Sequence, residues 1–230
     1  MIKLAVFDLD GTLLNTLDDL AAACNHALDR EGFPTHSPSA YKLLVGGGVR
    51  NLIKNAVPLE YRTDNAVLQR TLERFVRFYD AHGQDLTKPY EGIPQLLGNL
   101  KDRGVAVAVL SNKSHRYVPA LVEHYLPGLV DYALGQQEGV PLKPDPQMLL
   151  EILERFGCSR EQCAYIGDSD VDMYTGANAG VFTAGVTWGF RTKEELINAG
   201  CSVVIDKVPE LQQILIDNPE KLRYTCSQDN

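Results

Sequence analysis

Four short apolar runs recur along the chain, and each is followed by a polar or glycine-containing turn. They cover residues 4–7, 105–110, 163–166 and 181–186. A run that stays apolar at every position, without an alternating polar face, is typical of a strand buried on both faces of a parallel sheet. The pattern therefore predicts four strands of one buried sheet.

Segments of helical length and spacing lie between these runs. They cover residues 93–103, 117–125, 147–156 and 173–179. Asp145 and Pro146 mark the start of the third segment, since proline suits the first turn of a helix. Strands that alternate with helices form α/β folds. We predict a Rossmann-like parallel sheet flanked by helices.

One long segment after the first strand interrupts this alternation, because it contains no comparable apolar run. Two amphipathic stripes predict helices there instead. The first stripe follows Thr16 and Asp19, a pair typical of a capped helix start, and the second lies within residues 64–81.

This insert divides the chain into three predicted parts. A core domain consists of residues 1–15 and 83–216, a helical cap domain of residues 16–82, and a polar tail of residues 217–230. The chain passes between core and insert twice, and two such connections allow a hinge.

Charge narrows the class of partner. The 230 residues carry 22 basic against 30 acidic side chains, a formal net charge of -8 at pH 7. Nucleic acids and anionic membranes repel such a chain, so we expect a small diffusible substrate and neither of those partners. No stretch is apolar enough to span a bilayer and no signal peptide is recognisable, which predicts a cytoplasmic protein. Monomer and homodimer both remain open.

The five cysteines are widely scattered, and none forms a C-x-x-C pair. Neither a disulfide framework nor a zinc site is indicated. We expect reduced thiols, most of them buried.

The densest candidate chemistry is Asp8-Leu9-Asp10-Gly11-Thr12, directly after the first predicted strand. Parallel α/β sheets bind ligands at the carboxyl ends of their strands. Alternation along an extended chain directs Asp8 and Asp10 to the same side, and Gly11 permits a tight turn. Two neighbouring carboxylates repel each other unless a cation lies beside them. The alternative is a turn in which both aspartates cap backbone groups.

Two further polar groups follow or precede predicted elements. Ser111 follows the second predicted strand, where its hydroxyl and nearby amides can donate to phosphate oxygens, although an ordinary turn or helix cap explains it equally well. Lys143 opens a Lys-Pro-Asp-Pro segment, whose prolines restrict the backbone and limit the freedom of the lysine. The alternative for Lys143 is a solvated lysine at a helix start.

Three aspartates follow the third predicted strand. Asp168 ends the strand, and Asp172, four residues later, lies one turn along the next helix and can face the same pocket. A ligand set made only of oxygen atoms suits Mg²⁺. Acidic enrichment at a helix N-terminus explains one of the three, and Asp170 is the candidate for that role.

These segments resemble the four ordered motifs of the haloacid dehalogenase superfamily, over nearly the entire chain. The matching positions are Asp8 to Thr12, Ser111, Lys143, and Gly167-Asp168 with Asp172. The insert resembles the helical cap of the subfamily that contains phosphoglycolate phosphatases, and residues 46–50 and 185–189 are similar to stretches of those enzymes. The resemblance implies a Mg²⁺-dependent phosphatase that acts on a small phosphorylated metabolite, with 2-phosphoglycolate as the favoured candidate.

By that resemblance, Asp8 attacks phosphorus and forms an aspartyl-phosphate. Asp10 protonates the leaving oxygen and then activates water. The Mg²⁺ ligands would be Asp8, the backbone carbonyl of Asp10, and Asp168, with Asp172 supporting the site.

The resemblance also implies the groups that bind the substrate. Ser111 and Lys143 would hold the phosphoryl oxygens, assisted by Thr12 and Asn112. Arg50, in the glycine-rich stretch of the insert, is the candidate for a second anionic group of the substrate, since guanidinium pairs well with carboxylate. A solvated arginine at a helix start is the alternative.

The motifs that this chain resembles also serve other activities. Asp10 argues against a dehalogenase, whose leaving group needs no acid. A phosphonate hydrolase needs a cap lysine, and the first predicted cap helix contains none, which leaves only Lys42 and Lys54. A sugar phosphomutase of the β-phosphoglucomutase type stays open. A non-catalytic phosphate-binding regulatory protein also stays open, although every charged motif residue is present.

Overall fold

The computed structural model describes residues 1–217 and contains two compact units. One consists of Met1–Leu13 with the described residues from Pro89 onward, and the other of Leu14–Lys88. Residues 218–230 of the predicted polar tail lie outside the described residues.

The described residues contain eight strands and ten α-helices. In chain order they are β1 Leu4–Phe7, β2 Leu14–Asn15, α1 Leu17–Glu31, α2 Tyr41–Leu44, α3 Val49–Ala56, α4 Asn65–His82, β3 Lys88–Pro89, α5 Ile93–Asp102, β4 Ala106–Ser114, α6 Val118–Tyr125, β5 Tyr132–Gln136, α7 Gln147–Phe156, β6 Cys163–Gly167, α8 Asp170–Ala179, β7 Phe182–Val186, α9 Lys193–Asn198, β8 Val203–Ile205 and α10 Val208–Gln212.

Six of these strands form one sheet in the order β5-β4-β1-β6-β7-β8. All of its pairings are parallel. β1 lies inside the sheet, with Leu4 paired to Ala106 of β4 on one side and to Cys163 of β6 on the other. All four residues of β1 are buried, which explains its unbroken apolar run. The predicted α/β class with a parallel sheet is confirmed.

The sequence pattern missed two strands of this sheet, β5 and β8, which lie at its two edges. β5 reads Tyr-Ala-Leu-Gly-Gln with two buried positions, and β8 has three residues of which one is buried. An edge strand has one neighbour and less burial, so its apolar pattern is short and mixed. β4 runs four residues beyond the predicted end, through Ser111 to Ser114.

Helix α7 shows how the core forms on one face of the sheet. Its buried residues are Met148, Leu149, Ile152 and Leu153, a stripe at helical spacing. The stripe belongs to the same buried cluster as Tyr165 of β6. α7 begins after Pro146 and ends at Gly157, which adopts the left-handed conformation common after a helix.

The unit Leu14–Lys88 is helical, and α1 and α4 are its longest elements. The apolar stripe predicted for α1 is buried, and so are Val67, Leu68, Phe75 and Tyr79 of α4. Asp64 caps α4, because its carboxylate accepts from the backbone N–H groups of Ala66 and Val67.

The capped start predicted for α1 is wrong. Thr16 forms no side-chain cap bond to α1. The buried carboxylate of Asp19 accepts instead from Leu86 N, at 3.0 Å, and from Thr87 N and Thr87 Oγ1, at 2.8 and 2.6 Å. These residues lie just before β3, where the chain leaves the helical unit, so Asp19 anchors that exit. Three donors satisfy the buried carboxylate more completely than a single cap bond would.

Cys24, Cys158, Cys163 and Cys201 are free thiols, with Cys24 and Cys163 buried. The fifth, Cys226, lies outside the described residues. None of the described helices has the length and hydropathy needed to cross a membrane.

Candidate active site

Asp8 and Asp10 follow β1 at the carboxyl edge of the sheet. The Asp8 amide continues the strand pairing by donating to Ile166 O of β6 at 2.8 Å, so the backbone of Asp8 is held by the sheet. The side chain of Asp8 is almost fully buried. Asp10 Oδ1 lies 3.0 Å from Lys113 Nζ, on the extended part of β4. Adjacent strands therefore supply a carboxylate pair and an ammonium group.

Lys143 brings a second ammonium group to the site, beside Asp8. Its Nζ lies 2.9 Å from Asp8 Oδ1 and 2.7 Å from Asp172 Oδ1, and it also donates to Leu110 O at 3.3 Å. The side chain is buried. A buried lysine requires compensating carboxylates, and this one has two.

Asn112 fixes the backbone that carries Lys143. Asn112 Nδ2 donates to Lys143 O at 3.1 Å, and Lys143 N donates to Asn112 Oδ1 at 2.9 Å. The Asn112 side-chain amide thus joins β4 to the Lys-Pro-Asp-Pro segment through both its nitrogen and its oxygen. Its observed contacts position Lys143, and the predicted contact of Asn112 with substrate stays a prediction.

Asp168 directly follows β6 and is held on both carboxylate oxygens. Thr12 Oγ1 donates to its Oδ1 at 3.3 Å, and Phe190 N donates to its Oδ2 at 2.7 Å. The segment of Phe190 is attached in turn to the loop after β1, because Trp188 Nε1 donates to Thr12 O at 3.1 Å. Two separate parts of the chain, the loop after β1 and the segment of Phe190, therefore fix the position of one carboxylate.

Two glycines allow this crowding around Asp168. A Cβ added at Gly11 or at Gly189 would lie 2.3 Å from Asp168 Oδ2. Gly11 also has φ of 87°, in the left-handed region that disfavours side chains. Close approach of the backbone to Asp168 explains the glycine at both positions.

Asp172, on the first turn of α8, accepts hydrogen bonds on both oxygens. Oδ1 receives Lys143 Nζ and Tyr165 OH, the latter at 2.9 Å. Oδ2 receives Ser169 N and Ser169 Oγ, at 3.1 and 2.6 Å. Asp172 is therefore both the anchor for Lys143 and half of the capping box that starts α8.

Comparison with known proteins identifies the family. The model of the haloacid dehalogenase-like hydrolases matches residues 5–186. The chain belongs to this family. Among its relatives is the phosphoglycolate phosphatase of Vibrio cholerae serotype O1, which is 33% identical over 221 residues that cover 94% of this chain and 97% of the relative.

Two further proteins are similar over nearly their whole length. The phosphoglycolate phosphatase of Haemophilus influenzae is 32% identical over 93% of this chain and 98% of the relative. A crystal structure from Lactobacillus delbrueckii subsp. bulgaricus, provisionally described as a phosphoglycolate phosphatase, superposes with a TM-score of 0.87 at 34% identity, covering 93% of this chain and 98% of the other.

In this haloacid dehalogenase-like hydrolase, three carboxylates form a set that fits a divalent cation. One oxygen from each of Asp8, Asp168 and Asp172 lies within 4.8 Å of the others, and all three residues are buried. Asp8 Oδ1 has the Lys143 ammonium as its partner, at 2.9 Å. All the donors are hard oxygen atoms, the type that Mg²⁺ prefers.

The ionisation of the cluster also favours a bound divalent cation. Burial and the negative charges of Asp172 and Asp10 raise the pKa of Asp8 to about 7, although the Lys143 ammonium acts to lower it. Burial and the neighbouring Asp172 and Asp8 also raise the pKa of Asp168 well above its ordinary value. Burial alone would lower the pKa of Lys143, but Asp172 and Asp8 raise it well above the usual range, so the ammonium stays charged. One ammonium does not balance three buried carboxylates, and a divalent cation would.

The two remaining predicted site residues lie in different units. Ser111 is buried on β4, and its Oγ accepts from Lys113 N at 3.2 Å. Arg50 is exposed at the start of α3 in the helical unit, where its Nη2 donates to Gln69 Oε1 at 3.0 Å.

Four residues that contact the cluster were missed by the sequence reasoning: Lys113, Tyr165, Ser169 and Phe190. The Ser-x-x-Asp spacing of Ser169 and Asp172 is a capping signature, so that pair was open to detection. Nothing in the local pattern marks Tyr165, which lies inside an apolar strand, or Phe190, which contributes only its backbone N–H.

Proposed function

We propose that this hydrolase is a Mg²⁺-dependent phosphatase that hydrolyses a small phosphate monoester through an aspartyl-phosphate on Asp8, with 2-phosphoglycolate as the preferred substrate. The observation that carries the proposal is the placement of Asp8 beside Lys143, at 2.9 Å, within a cluster that also contains Asp168 and Asp172. The relatives named above support the choice of substrate.

Asp8 has the properties of a nucleophile for this reaction. Its backbone is fixed by the sheet, and the Lys143 ammonium lies 2.9 Å from its Oδ1. Attack on phosphorus forms the Asp8–phosphate bond and breaks the ester bond. Asp10, two residues on, gives a proton to the departing oxygen and afterwards takes one from the water that hydrolyses the aspartyl-phosphate.

Asp8 and Asp168 are the side chains we assign to Mg²⁺, together with the backbone carbonyl of Asp10. Asp172 Oδ1 accepts from the Lys143 ammonium at 2.7 Å, so we assign Asp172 to orienting Lys143 and to the outer shell of the metal. When bound, the ion supplies positive charge that reduces the repulsion between a carboxylate nucleophile and a phosphate dianion.

Lys143 and Ser111 are the proposed partners of the phosphoryl oxygens. Lys143 is fully charged and rigidly held, which means that little reorganisation is required when negative charge gathers on the transferring group. The Ser111 hydroxyl accepts from Lys113 N and has its own proton to donate. Thr12, whose hydroxyl donates to Asp168, contributes to the site by fixing that carboxylate.

Arg50 is our candidate for the substrate carboxylate, and the helical unit is the proposed cap. Among the described residues, the observed partner of the Arg50 guanidinium is a neutral amide, Gln69, so its charge is not neutralised by a carboxylate. Arg50→Ala is expected to raise KM for phosphoglycolate more than KM for an uncharged alkyl phosphate. An equal rise in KM for both substrates would show that Arg50 does not bind the substrate carboxylate.

Release of inorganic phosphate from a panel of small phosphate esters tests the function directly. Turnover should require Mg²⁺ and be abolished by chelation, and phosphoglycolate should have the highest kcat/KM. The variant Asp8→Asn should fold normally and release no phosphate, while Asp170→Asn, at a half-buried position next to the cluster, should retain activity.

The same assay separates the alternatives. Phosphate release in the absence of any sugar acceptor distinguishes a phosphatase from a sugar phosphomutase. Mg²⁺-dependent turnover by well-folded Asp8→Asn would refute the nucleophile. If no ester of the panel is hydrolysed, the scaffold is a non-catalytic binding protein.

A further inference from the structure

A cavity of about 590 Å³ is lined by α1 and α4 within the helical unit. It shares no residue with the carboxylate cluster. Four arginines contribute to its lining, against one acidic residue, Glu73; the arginines are Arg30, Arg70, Arg74 and Arg77. A concentration of guanidinium groups is notable in a chain whose formal net charge is -8.

Only part of this positive charge is neutralised. The nearly buried carboxylate of Glu31 lies 3.2 Å from Arg70 Nη2 and 2.9 Å from Arg74 Nε, so one acid serves two arginines. Arg30 and Arg77 have no carboxylate within ion-pair distance among the residues described. The cavity therefore presents at least two uncompensated guanidinium groups, each a planar set of donors suited to phosphate oxygens.

Stacked rings form another part of the wall. The Phe78 ring lies 4.4 Å from the His26 ring and 4.5 Å from the His82 ring, measured between centroids. Stacking limits the motion of both imidazoles and holds them at the cavity. His82 Nδ1 already lies 2.9 Å from Asp85 Oδ2, so His82 Nε2 and the His26 ring are the nitrogens that add donor capacity beside the arginines.

We propose that this cavity is a second anion site, which binds a small soluble polyphosphate. Its volume falls within the usual range of small-molecule sites, roughly 300–1,000 Å³. A nucleic acid or an anionic membrane fits less well, because an extended polyanion would also meet the negative remainder of the chain. The site is independent of the proposed phosphatase reaction, since none of its residues takes part in it.

Histidine NMR on the full-length protein locates the binding. The chain has five histidines, and only His26 and His82 line the cavity. Tripolyphosphate added in the presence of a chelator should shift the imidazole signals of these two and leave that of His124, on α6, unchanged. Shifts confined to His115, which follows β4, would place the anion at the carboxylate cluster and overturn the proposal.

Calorimetry with tripolyphosphate then tests the arginines. The double variant Arg30→Gln/Arg77→Gln should raise Kd about tenfold or more. The matched control, Arg103→Gln/Arg160→Gln, removes the same charge from exposed positions of the other unit and should change Kd less than about twofold. Equal weakening in both variants, absence of binding to the wild type, or tighter binding of a short oligonucleotide would each contradict the proposed site.

Discussion

Lys113 Nζ lies 3.0 Å from Asp10 Oδ1, and both side chains are largely buried. The pair joins two adjacent strands of the sheet, because Asp10 follows β1 and Lys113 belongs to the end of β4. Asp10 is the proposed acid and base of the reaction. Lys113 therefore fixes the position of the group that delivers the proton to the leaving oxygen.

The variant Lys113→Met should impair substrates that need an acid. A positioned general acid contributes about 10²–10⁴-fold, so loss of its anchor should lower kcat/KM for phosphoglycolate by about tenfold or more. The effect on p-nitrophenyl phosphate should be small, because nitrophenolate leaves without a proton. kcat/KM is the quantity to compare, since it reports the transfer step.

Two controls make the Lys113 experiment specific. Lys193→Met removes an exposed lysine of α9 and should leave both substrates unaffected. Lys113→Arg keeps the cation and should restore part of the activity toward phosphoglycolate. An equal loss for both substrates in Lys113→Met would show that the lysine only supports the fold.

Mg²⁺ should stabilise the protein more at high pH than at low pH. The folded state raises the pKa of Asp8 to about 7, from an ordinary value of 3.8. The stability that Asp8 contributes without metal is thus fully present below its unfolded pKa and is lost as the pH rises through the folded pKa. Metal binding requires ionised carboxylates. The increase in Tm caused by Mg²⁺ should therefore be larger at about pH 8 than at about pH 5.5.

Thermal melts with and without Mg²⁺ at the two pH values measure this difference. At a Mg²⁺ concentration of about 100 times Kd, binding stabilises the folded state by about 2.7 kcal/mol, which corresponds to an increase in Tm of roughly 5–10 °C for a protein of this size. Asp168→Asn should remove most of the response. A Mg²⁺-induced change in Tm that is the same at both pH values would contradict the assignment of Asp8 to the metal.

Gly189→Ala should disturb the cluster from outside it. The new Cβ would lie 2.3 Å from Asp168 Cβ and Oδ2, so the carboxylate or the loop has to move. We expect a loss of activity of about 10²-fold, typical of a small misplacement of a catalytic group, with a weaker response to Mg²⁺. Gly98→Ala is the control, because a Cβ inside α5 meets nothing within 4 Å and should stabilise the helix slightly.

Asp19→Ala should destabilise the exit from the helical unit. The substitution leaves the two buried donors of Thr87 and the partly buried N–H of Leu86 without their acceptor. Unsatisfied buried donors cost about 1–3 kcal/mol each, so we expect a loss of about 2–4 kcal/mol in urea unfolding. Asp18→Ala, at an exposed neighbouring position of α1, should change stability by less than about 0.5 kcal/mol. Similar midpoints for both variants would show that the Asp19 contacts contribute little.

Local pattern in the sequence was sufficient for the central strands and for most helices. β1 and α7 both have the bounds predicted. The reason is physical: a strand or helix buried on a defined face must carry apolar residues at a fixed period, and that period is visible in the chain. The positions of Asp8 and Asp168 at strand ends followed from the same pattern.

Only the tertiary structure decided which residues meet across the chain. Asp10 and Lys113 are 103 positions apart, and Asp19 and Leu86 are 67 apart. No periodicity encodes such pairs, because they depend on strand order and on the path of the connections. The edge strands β5 and β8 were missed for a related reason, since their partial burial weakens the apolar signal. The sequence by itself determined the core strands and the chemical groups at their ends, and the packing of the sheet determined the partner of each group.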